Sequence, residues 1–388
     1  MRIAHFIEDY ASYGGTQRVA SNLSQIMKES GEFVPIIFSF KSSLNGSFYN
    51  YGSDTKFIIL NKNSQDLTVE INRICNEHKI DIVIFHGYHL LFFIKGFRDI
   101  HLFNFRIILR TAFSSQNFLK INPIYPIWKN IFRNSVKYIN FQFNDKRKYK
   151  KRLTEILRLG NIVCVSKKCQ EELKELFNND LELKEKIHYI YNPIAHLTND
   201  NASYCKTNTI VYASRLRKSK KNSMLIVRAW KVISNDFPNW QLVILGDGEL
   251  EVEMKNYVKK HALSNVHFHG VVNNVSKFYK ESKIAVLSSN SDALPQSLVE
   301  AAYYSNALLS TAFDGGLNEI IENGYNGYIV TKNNFSEFAI KLRILMTDEF
   351  LVRDMAKKSR ILSQKFNTLS ILNQWQKLLY HEATRNTH

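Results

Sequence analysis

Two carboxylates stand eight positions apart in the stretch SDALPQSLVEA. Asp292 precedes an Ala-Leu-Pro turn, and a helix is predicted to begin near Gln296, so that Glu300 falls about one turn into it. Glutamate is rarely fully buried unless it is paired, which predicts that Glu300 lies at a helix surface or has a specific partner. Sugar hydroxyls are suitable partners, because a carboxylate accepts two hydrogen bonds from a ribose diol. The alternative is a helix N-cap followed by one surface glutamate.

A second loop, YGGTQR, follows the first predicted strand and opens a helix. Gly14 and Gly15 allow the backbone to approach a ligand, and the free N–H groups of a helix start favour an anion. Arg18 in the first turn would add a fixed charge. The alternative is a tight strand-to-helix turn without a ligand.

Two further loops follow strands of the second half of the chain. In ASRLRKSKKN, the cations Arg215, Lys220 and Lys221 would suit a diphosphate, with arginine as a fork and lysine as a point charge. In LGDGEL, Gly246 lies where a strand passes into a helix, which again permits close backbone approach. A solvated basic loop and an ordinary turn, with Asp247 capping the helix, are the alternatives.

Strand and helix signals alternate twice along the chain, which predicts an α/β protein with two doubly wound parallel sheets. Ligands bind such sheets at the carboxyl ends of their strands, and two facing domains would form a cleft. The predicted strands cover 2–8, 33–40, 81–85, 106–110, 161–165, 209–213, 241–245, 266–268 and 284–287, and the predicted helices of the second half cover 221–232, 249–260 and 298–304.

The composition limits the class of protein. The 388 residues carry a formal net charge of +17 at pH 7. Such a charge attracts nucleic acid, an anionic membrane or phosphorylated small molecules, and the alternative is that it only reflects a solvated lysine-rich surface.

The four cysteines form no CxxC pair, so neither a disulfide framework nor a zinc site is predicted, and free thiols fit a reducing compartment. The first residues read as a strand, and the most apolar run, 82–94, is too short to span a bilayer. These features predict a cytoplasmic protein that is soluble or bound at a membrane surface.

Basic and aromatic residues are mixed over residues 121–152. This mixture suits an anionic membrane interface, although RNA binding and a solvated basic helix remain alternatives. The residues predicted to contact the membrane or an acceptor are Trp128, Lys129, Arg133, Lys146, Arg147, Lys148, Lys150, Lys151 and Arg152.

The stretch SDALPQSLVEA resembles the acid-x7-acid signature of retaining GT-B glycosyltransferases, especially glycosyltransferase family 4. It keeps Pro295 and Glu300, and has Asp292 and Ala293 where the family usually has Glu and Gly. Further motifs resemble the family in the same order over essentially the whole chain: YGGTQRVASNLSQIM, CVSKKCQEEL, IYNPI, SRLRKSKKN, LVILGDGEL, VHFHGVV, GGLNEIIENGYNGYIV and NTLSILNQWQKLLY.

The resemblance implies the GT-B architecture, two Rossmann-like domains facing a cleft, with a C-terminal helix crossing back to the first domain. The implied divisions are an acceptor-side domain at 1–192, a linker at 193–207, a nucleotide-sugar domain at 208–365 and the helix at 366–388.

The resemblance also implies residue roles. Arg215 and Lys221 would hold the diphosphate, with Lys220 as a competing candidate, while Asp292 would hold the transferred sugar and Glu300 the ribose. Donor-binding residues would be Gly14, Gly15, Arg18, Lys220, Gly246, Gly270, Val271, Ala293, Leu294, Pro295 and Glu300.

One catalytic histidine is not found at its usual place. Many relatives have a histidine after the strand that corresponds to 106–110, but here that strand runs into Arg110 and Thr111. His86, after the preceding predicted strand, would be a substitute, and a plain turn residue is the alternative.

The implied activity is retaining, metal-independent transfer of a hexose or N-acetylhexosamine from a nucleotide diphosphate sugar, with UDP preferred, and no cofactor is expected. The acceptor would be a lipid-linked saccharide in bacterial surface polysaccharide or glycolipid assembly, which places the protein on the inner face of the plasma membrane. The alternatives are a nucleotide-sugar epimerase or phosphorylase of GT-B architecture and a basic nucleic-acid-binding protein without enzymatic activity. The last of these would leave the acid-x7-acid motif unexplained, so nucleic acid is not an expected partner.

Overall fold

The computed structural model of the protein describes residues 1–41, 46–52, 54–62, 67–87, 105–111, 147, 150–178, 180–194 and 206–384. The chain divides into two compact units. The first, called here the first domain, is Met1–Pro193 together with Ile371–His388, and the second domain is Ile194–Ser370.

The first domain has a parallel sheet in which the described residues form seven strands, ordered β3-β2-β1-β4-β5-β6-β7. The strand order reverses between β1 and β4, because β2 and β3 lie on one side of β1 and the later strands lie on the other. The strands are β1 (Arg2–Ile7), β2 (Val34–Ser39), β3 (Lys56–Ile59), β4 (Ile82–His86), β5 (Arg106–Thr111), β6 (Gly160–Cys164) and β7 (Ile187–Tyr189).

Helices connect and cover this sheet. Val19, Leu23 and Met27 recur at helical spacing in the first helix and are all buried, which is why this segment packs on the sheet. Gly31, with φ of 74°, follows the helix in a conformation that favours glycine. The helices are α1 (Gly15–Glu29), α2 (Leu67–Glu77), α3 (Lys167–Glu175) and α4 (Leu181–Glu185), and residues 150–159 are also helical.

The last helix, α11 (Thr368–Thr384), contributes to the core of the first domain. Its buried Trp375 and Leu379 lie in one apolar cluster with Leu23 of α1 and Ile84 of β4. The predicted return of the C-terminal helix to the first domain is therefore confirmed.

The second domain has a parallel sheet whose described strands number six, in the order β10-β9-β8-β11-β12-β13. Its strand order reverses between β8 and β11. The strands are β8 (Thr207–Ala213), β9 (Gln241–Leu245), β10 (Val266–Gly270), β11 (Ser282–Leu287), β12 (Ala307–Thr311) and β13 (Gly327–Val330). The helices are α5 (Met224–Ile233), α6 (Glu251–Lys260), α7 (Val275–Glu281), α8 (Gln296–Tyr303), α9 (Phe335–Thr347) and α10 (Glu349–Leu362).

The predicted α/β class with two parallel sheets is confirmed. The helix predicted from residue 221 begins only at Met224, because Ser223 accepts a hydrogen bond from the backbone N–H of Arg217 and keeps the preceding residues in a loop. Strands β3, β7, β12 and β13 had no sequence prediction.

Candidate functional site

Two loops leave neighbouring strands at the strand-order reversal of the second sheet. The loop 214–223 follows β8, and the loop 288–295 follows β11, which pairs with β8. In open α/β sheets, ligands bind outside the carboxyl ends of the strands at this kind of reversal. The loops that the sequence singled out therefore meet at the expected position in the second domain.

An ion pair joins the two loops. The Lys221 Nζ lies 2.5 Å from the Asp292 Oδ2, and each side chain keeps roughly a quarter of its surface exposed, 25% and 22% respectively. Burial by itself would lower the pKa of Lys221, but the attraction of the Asp292 carboxylate and its hydrogen bond outweigh burial and raise that pKa above its ordinary value. Lys221 therefore carries its positive charge at neutral pH, beside a carboxylate that solvent still reaches.

Backbone contacts hold the two loops together around this pair. The backbone N–H of Asn290 donates to the Lys220 carbonyl at 2.8 Å, and its side-chain amide donates to the Ser219 carbonyl at 2.9 Å. The Ser288 hydroxyl donates to the Lys221 carbonyl at 2.9 Å. These bonds fix the position of Lys221 relative to the loop that carries Asp292.

A buried serine shapes the base of the cationic loop. The Ser223 hydroxyl lies 2.8 Å from the Tyr212 hydroxyl, accepts from the Arg217 N–H at 3.2 Å, and lies 3.3 Å from the Arg215 carbonyl. Arg215 and Lys220 are both exposed on this loop. Their charges are thus available to solvent, next to the half-buried ammonium of Lys221.

Glycines permit close packing of the loops that surround the ion pair. A Cβ on Gly246 would lie 2.1 Å from the Ser214 carbonyl oxygen, and a Cβ on Gly315 would lie 2.0 Å from the carbonyl oxygen of Asp292. Both residues also have φ in the range that favours glycine, 113° and 133°. The backbone of Asp292 can therefore take its position only because residue 315 is a glycine.

The turn that follows Asp292 is buried. Ala293 and Leu294 are 3% and 5% exposed, and the Ala293 carbonyl accepts a hydrogen bond of 2.7 Å from the Gly316 N–H. Pro295 immediately precedes α8 as its N-cap, so the predicted helix start near Gln296 is confirmed.

Glu300 lies in the second turn of α8 and is 2% exposed. Of the two sequence-based expectations, a surface position is therefore wrong, and a specifically held carboxylate remains. It lies close enough to Tyr304 to help raise the pKa of that phenol, an effect that comes first from burial.

Gly270 and Val271 lie at the end of β10, at the far edge of the second sheet. Gly270 has φ of 64°, and its carbonyl accepts a hydrogen bond of 2.6 Å from the N–H of Gly246. Val271 is 36% exposed. The structure thus joins Gly246 and Gly270, two of the predicted donor-binding positions, by a backbone contact.

The glycine pair of the first domain lies at the start of α1. Gly14 is the N-cap residue, Gly15 is the first helical residue, and the Arg18 N–H donates to the Gly14 carbonyl at 2.9 Å. The Gly14 N–H donates to the Tyr49 hydroxyl at 3.3 Å. Gly15 has open space around the position of a Cβ.

His86 is the last residue of β4 and is 1% exposed, so its interpretation as a turn residue after the strand is wrong. Its Nε2 lies 3.0 Å from the Nδ1 of His5, another buried residue, on β1. Burial lowers the pKa of His5 to about 3, with a further contribution from the nearby charge of Arg110, and it also holds the pKa of His86 well below its usual range. Both rings are therefore neutral at physiological pH.

Much of the basic and aromatic segment lies outside the described residues, namely Trp128, Lys129, Arg133, Lys146 and Lys148. Within the described part, Arg147, Lys150, Lys151 and Arg152 are exposed and helical. Lys150 places its Nζ 5.6 Å from the centre of the Phe177 ring.

The described residues contain no group of three or more His, Cys, Asp or Glu side chains arranged to hold a metal ion. No described helix is long and apolar enough to cross a membrane. Cys75, Cys164 and Cys169 are buried free thiols, and Cys205 lies outside the described residues.

Sequence comparisons connect this geometry to known proteins. Residues 195–361, which fall in the second domain, match the family of glycosyl transferases group 1. An uncharacterized glycosyltransferase of Haemophilus influenzae is 23% identical over 97% of this chain and 99% of its own length. A Campylobacter jejuni protein named as a GalNAc-α-(1→4)-GalNAc-α-(1→3)-diNAcBac-PP-undecaprenol α-1,4-N-acetyl-D-galactosaminyltransferase is 27% identical over 46% of this chain and 50% of its own length.

A solved structure shares the fold. HepE of Anabaena, crystallised in complex with UDP-glucose, superimposes with a TM-score of 0.72 at 14% identity, covering 98% of this chain and all of that one. The two Rossmann-like domains are thus those of the GT-B class of fold. Within that class, the matched second domain supports a glycosyltransferase of group 1.

Sequence reasoning missed several residues that shape these sites. Gly315 and Ser223 fix the two loops of the second domain, and their motifs were visible without any indication of what they would contact. In the first domain, Arg110 was noted only as the end of its strand and His5 was missed, although a polar residue inside the apolar strand IAHFI is a detectable signal.

Proposed function

We propose that the protein is a retaining glycosyltransferase that moves a hexose or N-acetylhexosamine from a nucleotide diphosphate sugar, with UDP as the nucleotide, to a lipid-linked saccharide. The observation that carries the proposal is the Lys221–Asp292 ion pair, which joins two loops at the strand-order reversal of the second sheet. The carboxyl ends of the strands are where such sheets bind ligands. A partly exposed cation suits the phosphates of a phosphorylated sugar, and a partly exposed carboxylate suits its hydroxyls.

Arg215 and Lys221 would bind the diphosphate. The exposed guanidinium of Arg215 offers a planar fork, and the Lys221 ammonium has three donors, of which Asp292 engages one. Lys220 remains the competing lysine, and its exposed position on the same loop allows it to contribute.

The two carboxylates would hold the two sugars of the donor. Asp292 accepts from Lys221 through Oδ2, and a carboxylate has about four acceptor positions, so it can also accept from a hydroxyl of the transferred sugar. Glu300 would bind the ribose diol from α8. Gly246, Gly270 and Val271, at the ends of β9 and β10, would approach the base.

The transfer step exchanges one bond at the anomeric carbon for another. The bond from that carbon to the diphosphate oxygen breaks, the acceptor oxygen forms its bond on the same face, and the hydroxyl proton passes to the leaving diphosphate. Negative charge grows on the diphosphate in the transition state, so Arg215 and Lys221 would accelerate the reaction by stabilising it. We propose no role for a metal ion.

Similar proteins support the substrate classes. HepE was crystallised with UDP-glucose, and the Campylobacter jejuni enzyme is named for an acceptor attached to PP-undecaprenol. A lipid-linked acceptor would bring the protein to a membrane surface, and the exposed Lys150, Lys151 and Arg152 would favour an anionic one.

The first experiment tests the donor. Melting temperatures would be measured with UDP, GDP, ADP, CMP and dTDP for the wild type, for Glu300→Gln and for the control Glu253→Gln, an exposed residue of α6. A ligand at a hundred times its Kd adds about 2.7 kcal/mol of stability, which a melting curve resolves. We expect a shift with UDP that is lost in Glu300→Gln and kept in the control. Stabilisation by none of the nucleotides would refute the proposal.

The second experiment tests the reaction. Purified protein and a panel of UDP-sugars would be incubated with lipid-linked saccharides in the presence of EDTA, and the product anomer would be read by NMR. The expected product has the anomeric configuration of the donor. Release of an epimerised sugar nucleotide without any acceptor would instead identify an epimerase.

A further inference from the structure

One face of the first sheet changes from apolar to polar at the carboxyl ends of three neighbouring strands. On β1, β4 and β5 the buried residues Ile3, Ile84 and Ile108 belong to one apolar cluster. Two positions further along each strand, and therefore on the same face, stand His5, His86 and Arg110. His86 and Arg110 are direct partners in the pairing of β4 with β5.

Arg110 is a buried cation. It is 4% exposed, and its Nη2 donates to the Asn192 Oδ1, a neutral acceptor. No carboxylate of the described part of the chain forms an ion pair with it. Burial lowers the pKa of Arg110 only to about 10, so the guanidinium remains charged at neutral pH. A buried charge without a counterion is costly, and a bound anion would remove that cost.

The two buried histidines beside Arg110 can offer a bound anion one N–H donor. The contact between the His5 Nδ1 and the His86 Nε2 requires one proton between the two neutral rings. The outer nitrogens, the His5 Nε2 and the His86 Nδ1, are buried and have no hydrogen-bond partner. When His5 donates to His86, the proton of His86 must reside on Nδ1, which then points an N–H away from the pair.

We propose that the carboxyl edge of the first sheet, around Arg110 and His86, binds a phosphate group. The guanidinium fork would bind two oxygens and the His86 Nδ1–H a third, which suits a tetrahedral oxyanion better than a planar carboxylate. Asn192 orients the guanidinium, and His5 is a positioning residue that fixes the tautomer of His86. All four residues belong to the first domain, whereas the nucleotide-sugar loops belong to the second.

The test begins from a chain in which the second-domain cations are removed. In the double variant R215M/K221M, inorganic phosphate would be titrated at constant ionic strength against chloride while the melting temperature is followed. We expect a saturable rise of several degrees that Arg110→Met abolishes and Arg158→Met preserves, since Arg158 is an exposed arginine of the same domain. A rise that survives Arg110→Met, or no rise at all, would overturn the proposal.

Two further measurements remain decisive if Arg110→Met does not fold. Arg110→Lys keeps the charge but loses the fork, and we expect its Kd for phosphate to rise roughly tenfold or more. In the parent double variant, phosphate should shift the imidazole ¹⁵N signals of His86 and leave those of the exposed His267 unchanged. Unchanged His86 signals at saturating phosphate would exclude the site.

Methyl phosphate distinguishes the source of the group. If it binds as inorganic phosphate does, the site accepts a phosphate carried by a larger molecule, such as an acceptor. If only inorganic phosphate binds, the site holds the free ion. Nucleotide-sugar turnover is not measured in any of these experiments, so they succeed or fail independently of the proposed transfer activity.

Discussion

Each domain places a cation towards the carboxyl ends of its parallel strands, but the two cations have different surroundings. Lys221 lies in the loop after β8, at the strand-order reversal of the second sheet, whereas Arg110 lies on β5, one strand away from the reversal between β1 and β4 of the first sheet. In the second domain, Lys221 is 25% exposed on its side chain and pairs with Asp292. In the first domain, Arg110 is 4% exposed and donates to the amide of Asn192.

This contrast shows two ways of preparing a cation for an anionic ligand. Lys221 is neutralised by a carboxylate of the chain, so the ligand-free domain carries little electrostatic cost and an incoming diphosphate must share the ammonium with Asp292. Arg110 has no such compensation among the described residues, so an anion that binds there relieves a cost that already exists. Removing Lys221 should therefore lower the stability of the ligand-free second domain, because it leaves the Asp292 carboxylate unpaired. Removing Arg110 should instead raise the stability of the ligand-free first domain, because it removes a buried charge that has no counterion among the described residues.

The largest effect is expected for Lys221→Met on transfer. Removing one preorganised group that stabilises transition-state charge costs about 10²–10³ in kcat, and we expect a loss of this size with the UDP-sugar that serves as donor. Lys218→Ala is the matched control, because Lys218 is exposed on the same loop and its backbone N–H, not its side chain, contacts Glu249. Equal rates for Lys221→Met and the wild type would remove Lys221 from the mechanism.

The next effect concerns the backbone that positions Asp292. Gly315→Ala would bring a Cβ within 2.0 Å of the Asp292 carbonyl oxygen, and we expect it to destabilise the second domain by about 3 kcal/mol. Gly324→Ala is the control, since Gly324 also has positive φ, 82°, but open space around a Cβ, and about 1 kcal/mol is expected there. Urea unfolding monitored in both variants gives the difference. Similar losses would show that conformation alone, and not contact with Asp292, requires glycine at position 315.

The third effect is a pH dependence confined to the first domain. The pKa of His5 is about 3 when folded and about 6.5 when unfolded, so the unfolded chain binds the extra proton between these values. The stabilisation is fully present above pH 6.5 and decreases as the pH falls towards 3, by about 2 kcal/mol at pH 5 for this one histidine.

Hydrogen exchange can separate the domains in this test. Amides of β1 and β4 should lose protection between pH 6.5 and 5, after correction for the intrinsic rate, while those of β8 and β11 should not. The control variant His267→Gln replaces an exposed histidine of β10 and should leave both profiles unchanged. Equal losses in the two domains would show that the buried histidine pair does not govern the acid response.

The second-domain site could be predicted much further from the sequence than the first-domain one. Its residues lie in contiguous loops, so SDALPQSLVEA and SRLRKSKKN carried a resemblance and placed Asp292 and Lys221 at strand ends. The ion pair between them could not be predicted, because it depends on β8 and β11 being neighbours although 73 residues lie between their final residues, Ala213 and Leu287.

The first-domain cluster assembles from residues on β1, β4 and β5 and from Asn192, with no local motif among them. Burial was the missing information for His86, which the sequence placed after its strand, as either a substitute for the usual histidine or a turn residue. The alternation Ile-x-His and Ile-x-Arg on separate strands becomes meaningful only after strand order and register bring the three strands together.

The smallest effect is expected for Asp292→Asn, and it tests the pairing itself. The substitution keeps the shape of the side chain but removes the charge that competes with a diphosphate for Lys221. We expect UDP to bind severalfold more tightly, by about 1 kcal/mol, because the ammonium no longer has to be shared. Transfer should fall at the same time, since an amide is a weaker acceptor for the hydroxyl of the transferred sugar.

Isothermal titration with UDP and initial rates with the UDP-sugar separate the two effects, and Asp247→Asn, a change in the neighbouring LGDGEL loop, is the control. Weaker binding of UDP would mean that Asp292 orients Lys221 for the diphosphate and does not compete with the diphosphate for the ammonium. The ion pair would then preorganise the site of the second domain rather than only neutralise Lys221.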